Sequence, residues 1–99
     1  IPNWDFDSDR MLKDSSAGAI MASALIELYG FTKNEAYIST AEHQLRSLCS
    51  EEYLAPLGEN GYFVLKHGVG NLPGNRELDV PLPYGDYYFV EAAMRYLAL

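Results

Sequence analysis

The sequence is short of several things at once, and each shortage closes off a class of protein. Cysteine occurs once, at Cys49, so neither an intrachain disulfide nor a thiolate cage for a metal can be built within these residues. The redox compartment stays open. Positive charge is scarce: seven Lys and Arg stand against fourteen Asp and Glu, a formal charge of −7. Such a chain has little attraction for phosphate backbones or anionic lipid surfaces, and no nucleic-acid or membrane partner is expected. Long hydrophobic runs are missing too. The longest, Ala17 to Ile26 broken by Ser23, is about half of the ~20 residues a membrane-spanning helix needs, and no basic segment precedes it as in a secretion signal. An initiating Met is absent, the chain opening Ile1-Pro2-Asn3, which suggests a section of something longer.

What is present is material for one globular unit. Hydrophobic residues make up 48% and charged residues 21% of the 99, which excludes disorder and collagen-like fibre. A chain of this size buries roughly 60 to 65% of its unfolded surface, so an isolated fold would be marginal unless further chain or a second copy covers its apolar faces. The expectation is a fragment whose missing N-terminal part, or self-association, supplies that cover.

Three helices are predicted. Asp14, Ser15 and Ser16 are good N-cap types, and from Ala17 to Leu28 apolar residues fall on every side, with Gly30 as the expected stop. A helix apolar all round must be buried all round. Thr32 and Glu35 have the spacing of a capping box opening a second helix, whose apolar stripe is Ile38, Ala41, Leu45 and Leu48 and whose other faces are polar. From Ser50 to Gly85 the helical period is lost, and six of the eight glycines and four of the five prolines fall there. That long loop is expected to be functional, with a short strand over Tyr62 to Leu65. From Asp86 the chain turns helical again, with Glu91 and Arg95 as the charges among apolar and aromatic residues. Buried, amphipathic, buried is the order of inner, outer and inner helices. The pattern predicts an all-α fold, a segment of an α/α barrel within a single domain over 1–99, with Ile20, Leu25, Val90 and Met94 among the most buried residues.

Several residues carry possible chemistry. Asp5, Asp7 and Asp9 open like a calcium loop, but Arg10 stands where glycine is required and Ser16 where a bidentate Glu is required; aspartates capping turns and pairing with Arg10 are the plainer reading, and no metal is expected. Carboxylates interleaved with Trp4 and Phe6 also suit sugar binding. Paired carboxylates serve glycoside chemistry, and Asp79 and Asp86 flank the end of the loop, Asp86 also being placed to cap the last helix. His67 lies in the loop, where it is either a satisfied structural histidine or one recruited for acid/base work. Tyr84 is placed to present its hydroxyl to a cavity. His67 and Tyr84 are therefore the candidate substrate-binding residues. Ser15-Ser16 lacks a nucleophile elbow, Cys49 has no evident cationic partner, and Gly68-x-Gly70 is not followed by the helix a dinucleotide site needs.

Trp4-Asp5-Phe6-Asp7, Lys13-Asp14-Ser15-Ser16-Ala17 and Tyr84-Gly85-Asp86-Tyr87-Tyr88-Phe89-Val90-Glu91-Ala92, in that order and spacing, resemble the C-terminal part of glycoside hydrolase family 88, the unsaturated glucuronyl hydrolases. His67-Gly68 resembles that family's glycine-rich loop before the last inner helix, while Lys13 stands where the family commonly has Arg. The resemblance implies an (α/α)6 barrel. It further implies hydration of the 4,5 double bond of an unsaturated uronic acid at the non-reducing end of lyase-generated oligosaccharides, without metal or organic cofactor. The aspartate that acts as general acid and base in the family would lie upstream, and no position among 1–99 matches its motif, so this piece would hold no catalytic residue. A bacterial cytoplasm or periplasm is the implied setting. The alternative class is a small helical module whose apolar surfaces bind a partner protein, with no enzymatic activity.

Overall fold

The computed structural model describes residues 1–5, 12–70 and 78–99. Among the described residues three helices dominate, α1 (Ser15–Thr32), α2 (Glu35–Leu48) and α3 (Pro83–Leu97), with one 3-10 turn at Asn60–Tyr62 between α2 and α3. Among the described residues there is no strand, only three isolated antiparallel bridges, Asn3 with Lys13, Leu54 with Leu65 and Gly68 with Val80. The all-α reading is borne out. None of the described helices is long and apolar enough to cross a membrane.

Asp14 caps α1, its extended backbone turning its carboxylate onto the Ser16 amide. Gly30 does not end the helix. α1 runs two residues further, and Lys33 takes the left-handed conformation (φ 57°) that returns its amide to the Tyr29 carbonyl. Nor do Thr32 and Glu35 form a capping box. Thr32 still belongs to α1, its hydroxyl donating to the Leu28 carbonyl and accepting from the Asn34 amide, and the cap of α2 is Asn34, which accepts from the Ala36 amide at 3.0 Å. Asn outcompetes Thr here because it sits one residue before the helix with its short side chain facing the open amide.

The two-residue link makes α1 and α2 antiparallel. Ala22 and Ile26 of α1 pack with Ile38 and Ala41 of α2 and Ala92 of α3, and a second cluster joins Ala19, Leu48 and Leu65. The predicted stripe of α2 therefore faces the core. α1 and α3 run parallel: Gly85 lies against Ser16, Glu91 meets Ser23, and Arg95 meets Glu27, each step further along both helices. α1 is thus the central element, in contact with both partners, whereas α2 and α3 touch little.

The burial expectation fails for all four residues, none of which is among the buried ones. Leu25 is half-buried, but Ile20, Val90 and Met94 are 40%, 49% and 67% exposed. The cause is geometric: a helix apolar on all sides needs neighbours on all sides, and among the described residues α3 is covered where it meets α1, the loop and, slightly, α2, which leaves its remaining face open. The uncovered face carries Tyr87, Val90 and Met94, with Leu97 also exposed beyond them. It leaves α3 with an open apolar surface.

The expected strand over 62–65 is also absent. Ala55 donates to the Val64 carbonyl and Lys66 to the Tyr53 carbonyl, but the Val64 amide, which would return the bond to Ala55 in a ladder, is taken by a side chain of α3.

Candidate functional site at the start of the parallel helices

Because α1 and α3 are parallel, their N-termini lie side by side, and the loop between α2 and α3 is fastened across them. α3 opens at Pro83, whose fixed φ suits the first helical position, and its N-cap Leu82 has no side-chain cap. Asp86 is consequently not the cap but a first-turn residue. Its carboxylate reaches sideways, accepting from the Val64 amide through Oδ2 and from the Leu65 amide through Oδ1, both at 2.9 Å. Asp14 does the same at the head of α1: besides the Ser16 amide and hydroxyl, Oδ1 accepts from the Val69 amide at 3.0 Å, and Ser15 donates its amide to the His67 carbonyl at 2.9 Å. Each inner-type helix thus holds one end of segment 64–69. Carboxylates at helix N-termini are also favoured by the helix dipole.

Two glycines permit the closeness. A Cβ on Gly85 would come within 3.2 Å of the Ser16 Cβ, and one on Gly68 would lie 2.8 Å from both the Val80 carbonyl oxygen and a Leu82 methyl. Ser15 and Ser16 are almost wholly buried in the resulting seam.

His67 stands between the two fastenings. Its Nδ1 is 2.5 Å from Oδ1 of Asp79, and the ring meets Tyr53 edge-on at 5.9 Å between centroids. Tyr53 is buried; that desolvation, reinforced by the charges of Glu52 and Asp79, raises its hydroxyl above the ordinary value of 10.0. Tyr84 is the second residue of α3 rather than a loop residue, and is 42% exposed. Both candidate residues are therefore at the same end of the molecule.

On the other side of α1, Pro2, Asn3, Trp4, Asp5, Ala17 and Met21 line an open groove of about 350 Å³. Trp4 and Asp5 of the first resemblance block belong to it, while Phe6, Asp7, Asp9 and Arg10, and with them the calcium-loop reading, lie outside the described residues. Among the described residues no three His, Cys, Asp or Glu side chains gather as a metal site would require.

The loop-holding roles of Asp14 and Asp86 are not legible from the sequence. Both residues advertise themselves as helix starts, but their amide partners lie 55 and 21 to 22 residues away, and no local signal encodes such a pairing.

No family model matches the chain. An unsaturated glucuronyl hydrolase of Formosa agariphila is 47% identical over 98 residues, which is 96% of this chain and 24% of that protein. A crystal structure of an unsaturated glucuronyl hydrolase specific for heparin superposes on 99% of this chain with a TM-score of 0.95 and 50% identity, covering 28% of that chain. The chain thus spans about a quarter of the length of these relatives. The neighbour has an α/α-barrel fold, and it is this agreement, rather than burial within 99 residues, that supports the inner, outer and inner assignment. Shared sequence and shared fold over nearly every residue make this chain a homologue of the unsaturated glucuronyl hydrolases.

Proposed function

We propose that these 99 residues are the C-terminal part of a single α/α-barrel domain, in an enzyme that hydrates the 4,5 double bond of an unsaturated glucuronic acid at the non-reducing end of lyase-generated oligosaccharides. Water adds across the vinyl ether, the product rearranges, and the remaining sugar is released. The observation that carries this reading is the agreement with unsaturated glucuronyl hydrolases along 96 to 99% of the chain. The exposed apolar face of α3 supports it further, because the remainder of a barrel would cover Tyr87, Val90 and Met94.

Within such an enzyme the section supplies wall and rim. Asp14 and Asp86 are occupied with backbone amides, so neither is placed to act as the general acid, and that aspartate is assigned to the rest of the protein. His67 and Tyr84 are the residues of this section proposed to contact the oligosaccharide. The reaction uses no metal or organic cofactor in this reading.

The test is product analysis with the full-length protein. An unsaturated uronyl disaccharide should lose the absorbance of its conjugated double bond as its reducing-end sugar appears. Cleavage of the saturated counterpart, with the unsaturated disaccharide left intact, would overturn the proposal.

A further inference from the structure

His67 and Asp79 share an uncommon backbone state. Both have positive φ, 63° and 53°, a left-handed conformation uncommon outside glycine and best tolerated by Asn, Asp and His. Each stands next to one partner of the antiparallel bridge between Gly68 and Val80, whose amides and carbonyls are exchanged at 2.7 and 3.0 Å. Across an antiparallel bridge 67 and 79 are diagonal rather than opposite neighbours, and their side chains nevertheless meet over it. The His67 carbonyl is held by the Ser15 amide and the ring by Tyr53. The two side chains are nevertheless 39% and 54% exposed. A contact this open to water adds little to stability. As a stabilising contact the pair is a poor bargain; as a device for holding an imidazole in one orientation it is well built.

We propose that Asp79 is a positioning residue for His67, and that the ring it holds offers Nε2 as an acceptor to a hydroxyl group of the bound sugar. An ionised carboxylate can only accept, so the contact at Nδ1 requires the hydrogen to be there. In the neutral ring the lone pair then lies on Nε2. This rests on His67 being a sugar-contacting residue, as in the proposed function. Asparagine at 79 can turn its amide NH2 to Nδ1 and drive the hydrogen to Nε2, converting the acceptor into a donor.

The experiment uses the full-length protein with histidine ring nitrogens labelled by 15N, the His67 signals being those lost in His67→Gln. At a pH where the spectrum shows a neutral ring, Nε2 of His67 should have the shift of an unprotonated nitrogen, and Asp79→Asn should move it to that of a protonated one. A protonated Nε2 in the unaltered protein, or a hydrogen that stays on Nδ1 both in Asp79→Asn and in Asp79→Leu, which has no acceptor at all, overturns the inference. On an unsaturated disaccharide, Asp79→Asn should raise KM about three- to tenfold, the value of one hydrogen bond, with kcat little changed. In the His67→Gln background, where the tautomer no longer exists, Asp79→Asn should have no further effect on KM. An equal loss in both backgrounds would mark Asp79 as merely structural and sink the proposal. If no form of the protein turns over unsaturated uronides, the functional reading fails, and the nitrogen shifts alone decide whether Asp79 sets the tautomer.

Discussion

Replacing Asp86 by alanine removes both acceptors that hold residues 64 and 65 to the head of α3. The two lost bonds are not equivalent. Val64 is 36% exposed and its amide regains water, whereas Leu65 is 1% exposed and its amide loses its carboxylate partner at 2.9 Å with little solvent to replace it. A hydrogen bond to a charged group contributes about 1.5 to 3 kcal/mol, and counting only the Leu65 bond in full gives a local opening that is easier by that amount. Amide exchange of a peptide covering 63–66, followed by mass spectrometry on the full-length protein, should therefore accelerate about ten- to a hundredfold. Asp86→Asn retains one acceptor oxygen and should fall between. The assay also separates the observed role from the capping role that the sequence suggests. A helix cap would protect the amides two or three residues onward, at Tyr88 and Phe89, and leave 64–65 unchanged. Faster exchange in α3 with undisturbed protection at 63–66 would refute the loop-holding role of Asp86.

Gly68→Ala forces a Cβ to within 2.8 Å of the Val80 carbonyl oxygen, which cannot retreat without breaking the bridge, so thermal unfolding of the full-length protein should show a loss of about 1 to 3 kcal/mol. The raised Tyr53 hydroxyl carries a pH dependence with a definite sign: the folded state holds the proton more tightly, so stability is intact below pH 10.0 and declines as pH rises from there through the folded-state value. Urea unfolding at alkaline pH should show this decline, and Tyr53→Phe should flatten it. His67→Ala or Tyr84→Phe should raise KM or lower kcat on an unsaturated disaccharide by about 1 to 3 kcal/mol if each supplies a buried hydrogen bond to substrate; unchanged kinetics in a normally folded variant would remove that residue from the site.

The helical architecture is legible in the sequence because it is written locally. The stripe Ile38, Ala41, Leu45, Leu48 repeats at helical spacing, and Asp14-Ser15-Ser16 is a cap signal that needs no distant partner. The departures cluster where neighbouring residues compete for one role or where a partner lies far along the chain. Thr32 and Asn34 both qualify as caps, and only the continuation of α1 past Gly30 decides between them. Asp86 follows a glycine and precedes a helical run, yet Pro83 has already started the helix, freeing the carboxylate for amides 21 and 22 residues earlier. The exposure of Ile20, Val90 and Met94 has another cause: hydrophobic pattern reports what a residue needs to be covered by, not whether the cover lies within the same 99 residues. The pairing of His67 with Asp79 is equally invisible in the sequence, since the two residues are twelve apart and meet across an antiparallel bridge in left-handed backbone conformations.

If this chain is one section of an unsaturated glucuronyl hydrolase, supplying rim and wall while the acid/base aspartate resides elsewhere, activity must belong to the whole protein and not to the section. Parallel progress curves on an unsaturated uronyl disaccharide, one with the full-length protein and one with the 99 residues alone, put that division to the test. Loss of the double-bond absorbance with the full-length protein and none with the isolated section is the predicted result. Turnover by the 99 residues alone, or a well-folded full-length protein inert toward every unsaturated uronide offered, would contradict it.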